Sequence, residues 1–185
     1  MSFNLKKSLQ RLRVPLGFLF SIIFLVFVRP EPKILLIGAI IAIFGLLIRA
    51  WAAGHIRKNK VLAVSGPYAF TRNPLYLGSF FLGVGFMIAS GVWWLGIVFA
   101  VLFLGIYLPV MRVEAEELTE IFSEEYKEYA KEVPLFFPRP TSYKASVEKF
   151  DLNLYLRHRE YQAAIGLAFA LGVLAFKAFS GINIW

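Results

Sequence analysis

Four long uncharged stretches dominate the hydrophobic pattern of this chain. They are Val14–Val28, Ile34–Ile48, Leu75–Met111 and Tyr161–Phe176. A helix needs about 20 predominantly apolar residues to cross a bilayer. A water-soluble fold of this size would have to bury all four stretches in one small core. The pattern therefore predicts an all-α fold, a polytopic helical membrane protein.

The third stretch is too long for a single crossing. As one helix, residues 75–111 would extend roughly 55 Å, whereas the hydrocarbon core measures about 30 Å. Ala89-Ser90-Gly91 lies near the middle of the stretch and predicts a turn. We therefore expect about five transmembrane helices, at residues 15–28, 34–53, 75–89, 92–111 and 161–184. The first has no small-residue cleavage site after it and should be retained.

Basic residues are concentrated at one end of the predicted helices. Of the 20 Lys and Arg residues, 16 lie before the first helix, between the second and third, or between the fourth and fifth. The positive-inside rule then places the N-terminus in the cytosol and the C-terminus on the opposite side. Topology and anionic headgroups account for the net charge of +8. The basic residues form no basic-aromatic module, so nucleic-acid binding is not expected.

Polar groups able to do chemistry gather in two cytosolic segments, His55–Pro74 and Arg112–Glu160. All acidic residues except Glu31 fall in the second segment. The chain contains no cysteine, which excludes disulfides, cysteine nucleophiles and thiolate metal sites. No metal site is predicted.

The first polar segment leads into the motif GPYAFTRNPLYLG at residues 66–78. Pro74 should open the third helix, because proline suits the first helical turn, and Asn73 before it is a good cap. Free N–H groups at a helix start attract a carboxylate or phosphate. Arg72 would add a fixed cation with a planar fork of donors.

Two tyrosines and a glycine complete this motif. Tyr68 and Tyr76 offer aromatic faces, which attract a sulfonium or quaternary ammonium cation. Gly78 lets another group approach the helix closely. Singly, each feature has a structural explanation, such as a helix cap or an interfacial tyrosine. Their combination within thirteen residues favours a binding site.

The second segment contains the motif RVEAEELTEIFSEEYKEYAKEVPLFFPR at residues 112–139. Its apolar residues recur at three- and four-residue steps, as on one face of an amphipathic helix: Leu118, Ile121, Phe122, Tyr126, Tyr129, Ala130 and Val133. Val133-Pro134 should end this helix. Glu114 follows a long apolar span, where a carboxylate is costly without a partner or ligand.

Together the two motifs resemble the isoprenylcysteine carboxyl methyltransferase family and its phospholipid N-methyltransferase relatives. The family pattern is a Gly-Pro-Tyr loop and Arg-His-Pro-x-Tyr-x-Gly opening a helix. A transmembrane hairpin follows, and after it come Glu-Glu-x-x-Leu, Phe-x-x-Glu-Tyr-x-x-Tyr, Val-Pro and a short Phe/Pro tail. The corresponding residues here are Gly66-Pro67-Tyr68, Arg72-Asn73-Pro74-Leu75-Tyr76-Leu77-Gly78, Glu114, Leu118, Phe122, Glu125-Tyr126, Tyr129, Val133-Pro134 and Pro138-Arg139.

The resemblance implies S-adenosylmethionine as cofactor and a lipid or prenylated acceptor that enters from the bilayer. Tyr68, Arg72, Asn73, Pro74 and Tyr76 would hold the amino-acid end and the sulfonium region. The ribose and adenine side would be held by Glu114, Glu117 and Leu118. Arg72 and Arg139 are the candidate catalytic residues, with Arg139 orienting an acceptor carboxylate. A headgroup contact is an equally good explanation of Arg139.

The chain departs from the family pattern at three places. Asn73 stands where many members have histidine, and Asn cannot act as a base near pH 7. Ala115 replaces the second glutamate of the pair. We expect one membrane domain over residues 1–185, with the motifs in 55–140. The third departure is the segment of residues 141–185, which adds a fifth transmembrane helix and which the resemblance does not explain.

The sequence leaves other functions open. The favoured acceptor is the carboxylate of an isoprenylcysteine-type molecule, and the alternative within the family is a phospholipid amine. A membrane reductase would need a basic cluster for NADPH, which Arg57, Lys58 and Lys60 could supply. An inactive scaffold would explain Asn73. A transporter is disfavoured, because the ionisable residues Arg49 and Lys177 lie near helix ends. The oligomeric state is not predicted.

Overall fold

The computed structural model describes residues 3–57, 61–144 and 148–180, with side chains from residue 15 onward. Its helices are α1 (Phe3–Phe27), α2 (Pro32–Ala53), α3 (Pro74–Ala89), α4 (Trp93–Glu132), α5 (Leu152–Arg157) and α6 (Tyr161–Ser180). A short 3₁₀ helix covers Gly66–Ala69. The described ranges contain no strand, and the all-α prediction is confirmed.

Three of these helices are long and apolar enough to cross a bilayer, namely α2, α4 and α6. The apolar part of α1, Pro15–Phe27, and α3 are shorter. With 16 residues, α3 extends roughly 24 Å, less than the ~30 Å hydrocarbon core. The protein is thus a helical membrane protein, and its described residues include three helices of membrane-spanning length and two shorter apolar helices. The count of five crossings stays a prediction.

Small residues let α2 and α3 pack backbone against backbone. A Cβ atom placed on Gly78 would lie 2.6 Å from the carbonyl oxygen of Gly45, and Gly38 and Gly85 approach each other in the same way. Interfaces of small residues are typical of membrane helices, where close packing replaces the hydrophobic driving force. The close neighbour that Gly78 was expected to admit is therefore helix α2.

Two short turns define which helix ends lie together. α3 ends at Ala89 and Gly91 adopts a φ of 68°, as the predicted turn requires. The N–H of Arg29, between α1 and α2, donates to the carbonyl oxygen of Ser90 at 2.8 Å. Both short connections therefore lie at one end of the bundle. The two polar segments lie at the opposite end, which we call the loop end.

The helix α4 is longer than the predicted fourth span because it continues into the amphipathic region. It is broken at Ser123, whose φ of 47° lies in the left-handed region that non-glycine residues rarely adopt. It ends at Glu132, directly before Val133-Pro134, as predicted. Of the predicted apolar face, Tyr126, Tyr129 and Val133 are buried.

Ile121 was wrongly assigned to that face, because its side chain is 50% exposed. Helical spacing cannot be continued through Ser123, since the positive φ there rotates the following turns relative to the preceding ones. The buried residues after the break pack with Leu62 in a cluster at the loop end. Leu118 and Phe122, before the break, pack against the edge of the same cluster.

The C-terminal segment folds back onto the bundle. The short helix α5 was not predicted; the Asp151 side chain caps it by accepting from the N–H groups of Asn153 and Leu154. The N–H of Asp151 donates to the carbonyl oxygen of Gly54, which ties the segment to the end of α2. From there α6 runs away from the loop end, and Leu174 is buried in a cluster that includes Leu35 at the other end.

Candidate active site at the loop end

Hydrogen bonds hold the two sequence motifs side by side. The segment before α3 runs along the segment after α4, and two backbone and two side-chain donors join them. They are Arg72 N to Pro134 O at 3.0 Å, Asn73 Nδ2 to Leu135 O at 2.9 Å, Thr71 Oγ1 to Phe136 O at 2.8 Å, and Arg139 N to Phe70 O at 2.9 Å. Residues 70–73 and 134–139 therefore lie side by side, which brings the ends of the two motifs together.

Asn73 does not cap α3 with its side chain, contrary to the prediction. Its amide Nδ2 instead donates to the carbonyl oxygen of Leu135. The backbone N–H of Asn73 donates to Thr71 Oγ1 at 3.3 Å. The Asn73 side chain thus joins the two motifs. This role requires a hydrogen-bond donor and no proton transfer. Pro74 opens α3 as predicted and is buried.

Arg72 lines an open groove on the face of α4. The groove has a volume of about 340 Å³, within the range of small-molecule sites. The guanidinium donates from Nη1 to Tyr126 Oη at 3.3 Å and lies 5.9 Å from the centre of that ring. The buried Nε of Arg72 has no hydrogen-bond partner in the described part of the chain. Other lining residues are Ala115, Glu116, Thr119, Lys127, Ala130 and Lys131.

Tyr76 supplies the predicted partner of Glu114. Its hydroxyl donates to Glu114 Oε1 at 2.6 Å, which joins α3 to α4 where the apolar part of α4 ends. Short hydrogen bonds to an ionised acceptor are about twice as strong as neutral ones. The Tyr76 ring also contacts Tyr107 edge to face, with centroids 5.4 Å apart. The Glu114 carboxylate is therefore hydrogen-bonded between α3 and α4.

Tyr68 lies in the 3₁₀ helix and is buried, with 6% of its surface exposed. Its hydroxyl has no hydrogen-bond partner among the described residues. Burial raises the pKa of Tyr68 far above its ordinary value, and the nearby carboxylates of Glu114 and Glu160 raise it further. The hydroxyl therefore stays protonated and can donate. The Tyr68 carbonyl oxygen accepts from Tyr129 Oη at 2.6 Å, which fixes the backbone there.

A buried ion pair beside this site was missed from the sequence. Arg49 Nη2 lies 2.7 Å from Glu160 Oε1, and the two side chains are only 22% and 14% exposed. Arg49 was expected to be a charge near a helix end and Glu160 a cytosolic acid. Their contact bridges 111 positions in the chain, so helical spacing carries no signal of it.

The remaining predicted residues lie nearby but contribute differently. Leu118 packs against the cluster of Leu62, Tyr126, Tyr129 and Val133. Glu117 is exposed, whereas its neighbour Glu116 lines the groove. Arg139 Nη1 lies 3.3 Å from Glu132 Oε2, and the other donors of Arg139 contact Thr141.

The basic cluster considered for NADPH is only partly described. Arg57 is half exposed and lies 4.0 Å from Glu148. Lys58 and Lys60 lie outside the described residues. Within the described ranges, no group of three or more His, Asp or Glu side chains could hold a metal ion.

Comparison with known proteins identifies the family. Residues 34–125 match the sequence model described as phospholipid methyltransferase. The chain belongs to this family of membrane methyltransferases. The match covers α2, α3 and most of α4, and so includes Arg72, Tyr76 and Glu114. It ends before the second half of the amphipathic region and the C-terminal segment.

Three curated relatives extend this finding. The chain is 37% identical over 134 residues to the cobalt-zinc-cadmium resistance protein CzcN of Cupriavidus metallidurans, covering 67% of this chain and 61% of the relative. It is 35% identical over 116 residues to the nickel-cobalt-cadmium resistance protein NccN of Alcaligenes xylosoxydans xylosoxydans, covering 57% and 53%. A protein-S-isoprenylcysteine O-methyltransferase of Schizosaccharomyces pombe is 26% identical over 137 residues, covering 71% and 58%.

The chain thus spans between about half and three fifths of the length of these relatives. No solved structure matches this chain.

Proposed function

We propose that this protein transfers a methyl group from S-adenosylmethionine to a lipid-like acceptor that enters its site from the bilayer. The observation that carries the proposal is the joining of the two motifs at the loop end. There the groove residue Arg72 lies directly before α3, and the Tyr76–Glu114 pair joins α3 to α4. Family membership supports the reaction class.

The residues present suit the cofactor. Arg72 has a buried Nε without a partner in the described chain, and a guanidinium binds the carboxylate of an amino acid through two parallel hydrogen bonds. Tyr126 and Tyr76 provide aromatic faces for a sulfonium cation. Glu116 lines the groove and Glu114 accepts from Tyr76 nearby on α4, and both carboxylates could accept from an ammonium group or a ribose diol.

When bound, S-adenosylmethionine supplies an electrophilic methyl group on a sulfonium. The chain has to hold the acceptor in line with that group and to exclude water. Arg72 and Asn73 are held in register by the segment 134–136, so their positions do not depend on flexible loops. Tyr68 presents a protonated hydroxyl that can orient an acceptor oxygen.

The finer proposal is that the acceptor is a carboxylate of the isoprenylcysteine type. The Schizosaccharomyces pombe relative carries that activity in its name. Arg139 already binds a carboxylate, that of the largely exposed Glu132. An acceptor carboxylate of similar geometry could replace Glu132 on this guanidinium. The site would face the cytosol, with the C-terminus on the opposite side, because the basic residues cluster at the loop end.

A radiolabel assay tests the proposal. The full chain in lipid nanodiscs is incubated with S-adenosylmethionine labelled in the methyl group and with either N-acetyl-S-farnesylcysteine or phosphatidylethanolamine. We expect label in the prenylated carboxylate, released by base as a methyl ester would be. Base-stable label in the phospholipid would contradict the carboxylate proposal and leave methyl transfer intact. Label in neither acceptor, with no cofactor binding, would contradict methyl transfer itself.

A further inference from the structure

The Arg49–Glu160 ion pair connects the C-terminal segment to the body of the bundle. Arg49 donates from Nε to Glu160 Oε2 at 3.0 Å and from Nη2 to both carboxylate oxygens at 2.7 and 2.9 Å. Removing two charges from water is costly, and only multiple hydrogen bonds of this kind offset the cost. The pair therefore fixes the plane of the guanidinium.

The remaining donors of that guanidinium contact α3. Nη1 donates to Ser79 Oγ at 2.5 Å and to the carbonyl oxygen of Leu75 at 3.4 Å. Leu75 and Ser79 flank Tyr76, whose hydroxyl binds Glu114. Because the five donors of a guanidinium share one rigid plane, the orientation set by Glu160 determines where Nη1 points. A continuous set of contacts thus runs from the start of α6 to the Tyr76–Glu114 pair.

Tyr68 connects the same set of contacts to the 3₁₀ helix. Its buried hydroxyl lies close enough to Glu160, Glu114 and Arg49 for all three charges to influence it. Glu160 therefore contributes to the polar surroundings of the site as well as to the position of α3.

We propose that Glu160 is a positioning residue for the methyl-transfer site, acting through Arg49 on the first two turns of α3. The inference rests on the proposed function, because the site positioned is the one described above. It gives the C-terminal segment a role in the reaction, although the match to the family ends at residue 125.

The first experiment compares Glu160→Gln with wild type in the full chain, reconstituted in nanodiscs. Glu31→Gln is the matched control, because Glu31 is an exposed carboxylate directly before α2, at the end of the bundle opposite the site. We measure hydrogen exchange of the peptide covering residues 74–82 and the affinity for S-adenosylhomocysteine. Glu160→Gln should raise exchange in this peptide. It should also weaken binding of S-adenosylhomocysteine and lower the methyl-transfer rate, the latter by about 10-fold or more, as misplacement of a site does. The control should match wild type.

A second variant keeps the test informative if Glu160→Gln is poorly folded. Ser79→Ala leaves the ion pair intact and removes only one contact of Arg49 with α3. Ser79→Ala alone should weaken binding of S-adenosylhomocysteine. When Glu160→Gln does fold, the effects of the two substitutions should be non-additive, because both act through the same guanidinium. Glu160→Asp should restore affinity in part. A purely structural ion pair would instead lower the melting temperature and leave the affinity of the folded protein unchanged.

The outcomes separate this inference from the proposed function. Wild-type exchange and wild-type affinity in Glu160→Gln would overturn the positioning role while methyl transfer stands. If wild type binds no S-adenosylhomocysteine, the proposed function fails, and so does the proposed role of Glu160 in methyl transfer. Exchange at residues 74–82 would then still report whether Glu160 orders α3.

Discussion

Replacing Tyr76 by phenylalanine removes the hydroxyl that donates a short hydrogen bond to Glu114. The ring and its edge contact with Tyr107 remain, whereas the 2.6 Å hydrogen bond to Glu114 is lost. A hydrogen bond to a charged group contributes about 1.5–3 kcal/mol. Glu114 takes part in a further interaction, so we expect about 1.5 kcal/mol, the lower end of that range. This is roughly a tenfold change in an equilibrium constant.

A double-mutant cycle measures this contact directly. The free energy of unfolding is obtained by denaturant titration in mild detergent for Tyr76→Phe, Glu114→Gln and the double variant. The coupling energy should be about 1–1.5 kcal/mol, because an amide oxygen keeps part of the hydrogen bond that a carboxylate makes. Tyr161→Phe, an exposed tyrosine at the start of α6, is the control. A coupling energy below about 0.5 kcal/mol would refute the reasoning.

Three further predictions concern proton binding, packing and the groove. Because the pKa of Tyr68 is raised in the folded state, its protonated hydroxyl contributes stability at pH values below the ordinary tyrosine pKa of 10.0. That contribution is lost as the pH rises above 10.0. The melting temperature should therefore fall above about pH 10, and a fall of equal size in Tyr68→Phe would contradict this. Gly38→Ala meets the backbone of Gly85 and should cost about 1–3 kcal/mol of stability. Gly105→Ala meets no atom within 4 Å and should leave the melting temperature unchanged or slightly raised. Arg72→Lys keeps the charge but loses the planar fork, so the dissociation constant for S-adenosylhomocysteine should rise about tenfold with unchanged circular dichroism. Unchanged affinity would exclude two-pronged binding.

The sequence pattern predicted those features of the fold that depend on local chemistry. Uncharged stretches of membrane length, the turn at Ala89-Ser90-Gly91 and the helix end before Val133-Pro134 all appear in the structure. Glu114 was identified as needing a partner from its place at the end of an apolar span. The partner, Tyr76, was already among the predicted site residues, although their contact was not predicted.

Features that depend on tertiary contacts could not be predicted in this way. Asn73 has the composition of a helix cap, yet the carbonyl oxygen of Leu135 lies within reach and takes its amide hydrogen. The break at Ser123 has no proline or glycine to signal it. The pairing of Arg49 with Glu160 depends on how α6 packs against α2, which no periodicity encodes.

The same distinction applies to the motif residues. Glycine at position 78 suggested a close approach from the sequence alone, and only the structure shows that α2 makes the approach. The groove residue Arg72 was found through its motif. Its neighbours Ala115 and Thr119 join the groove because of the helical register of α4.

Cofactor binding is the central claim, and thermal unfolding of the purified chain in detergent tests it most directly. A ligand that binds only the folded state adds about 2.7 kcal/mol at 100 times its dissociation constant. We predict that S-adenosylmethionine and S-adenosylhomocysteine raise the melting temperature of wild type, and that NADPH does not. Arg72→Ala should lose the response. Stabilisation by NADPH alone, or an unchanged response in Arg72→Ala, would contradict the account.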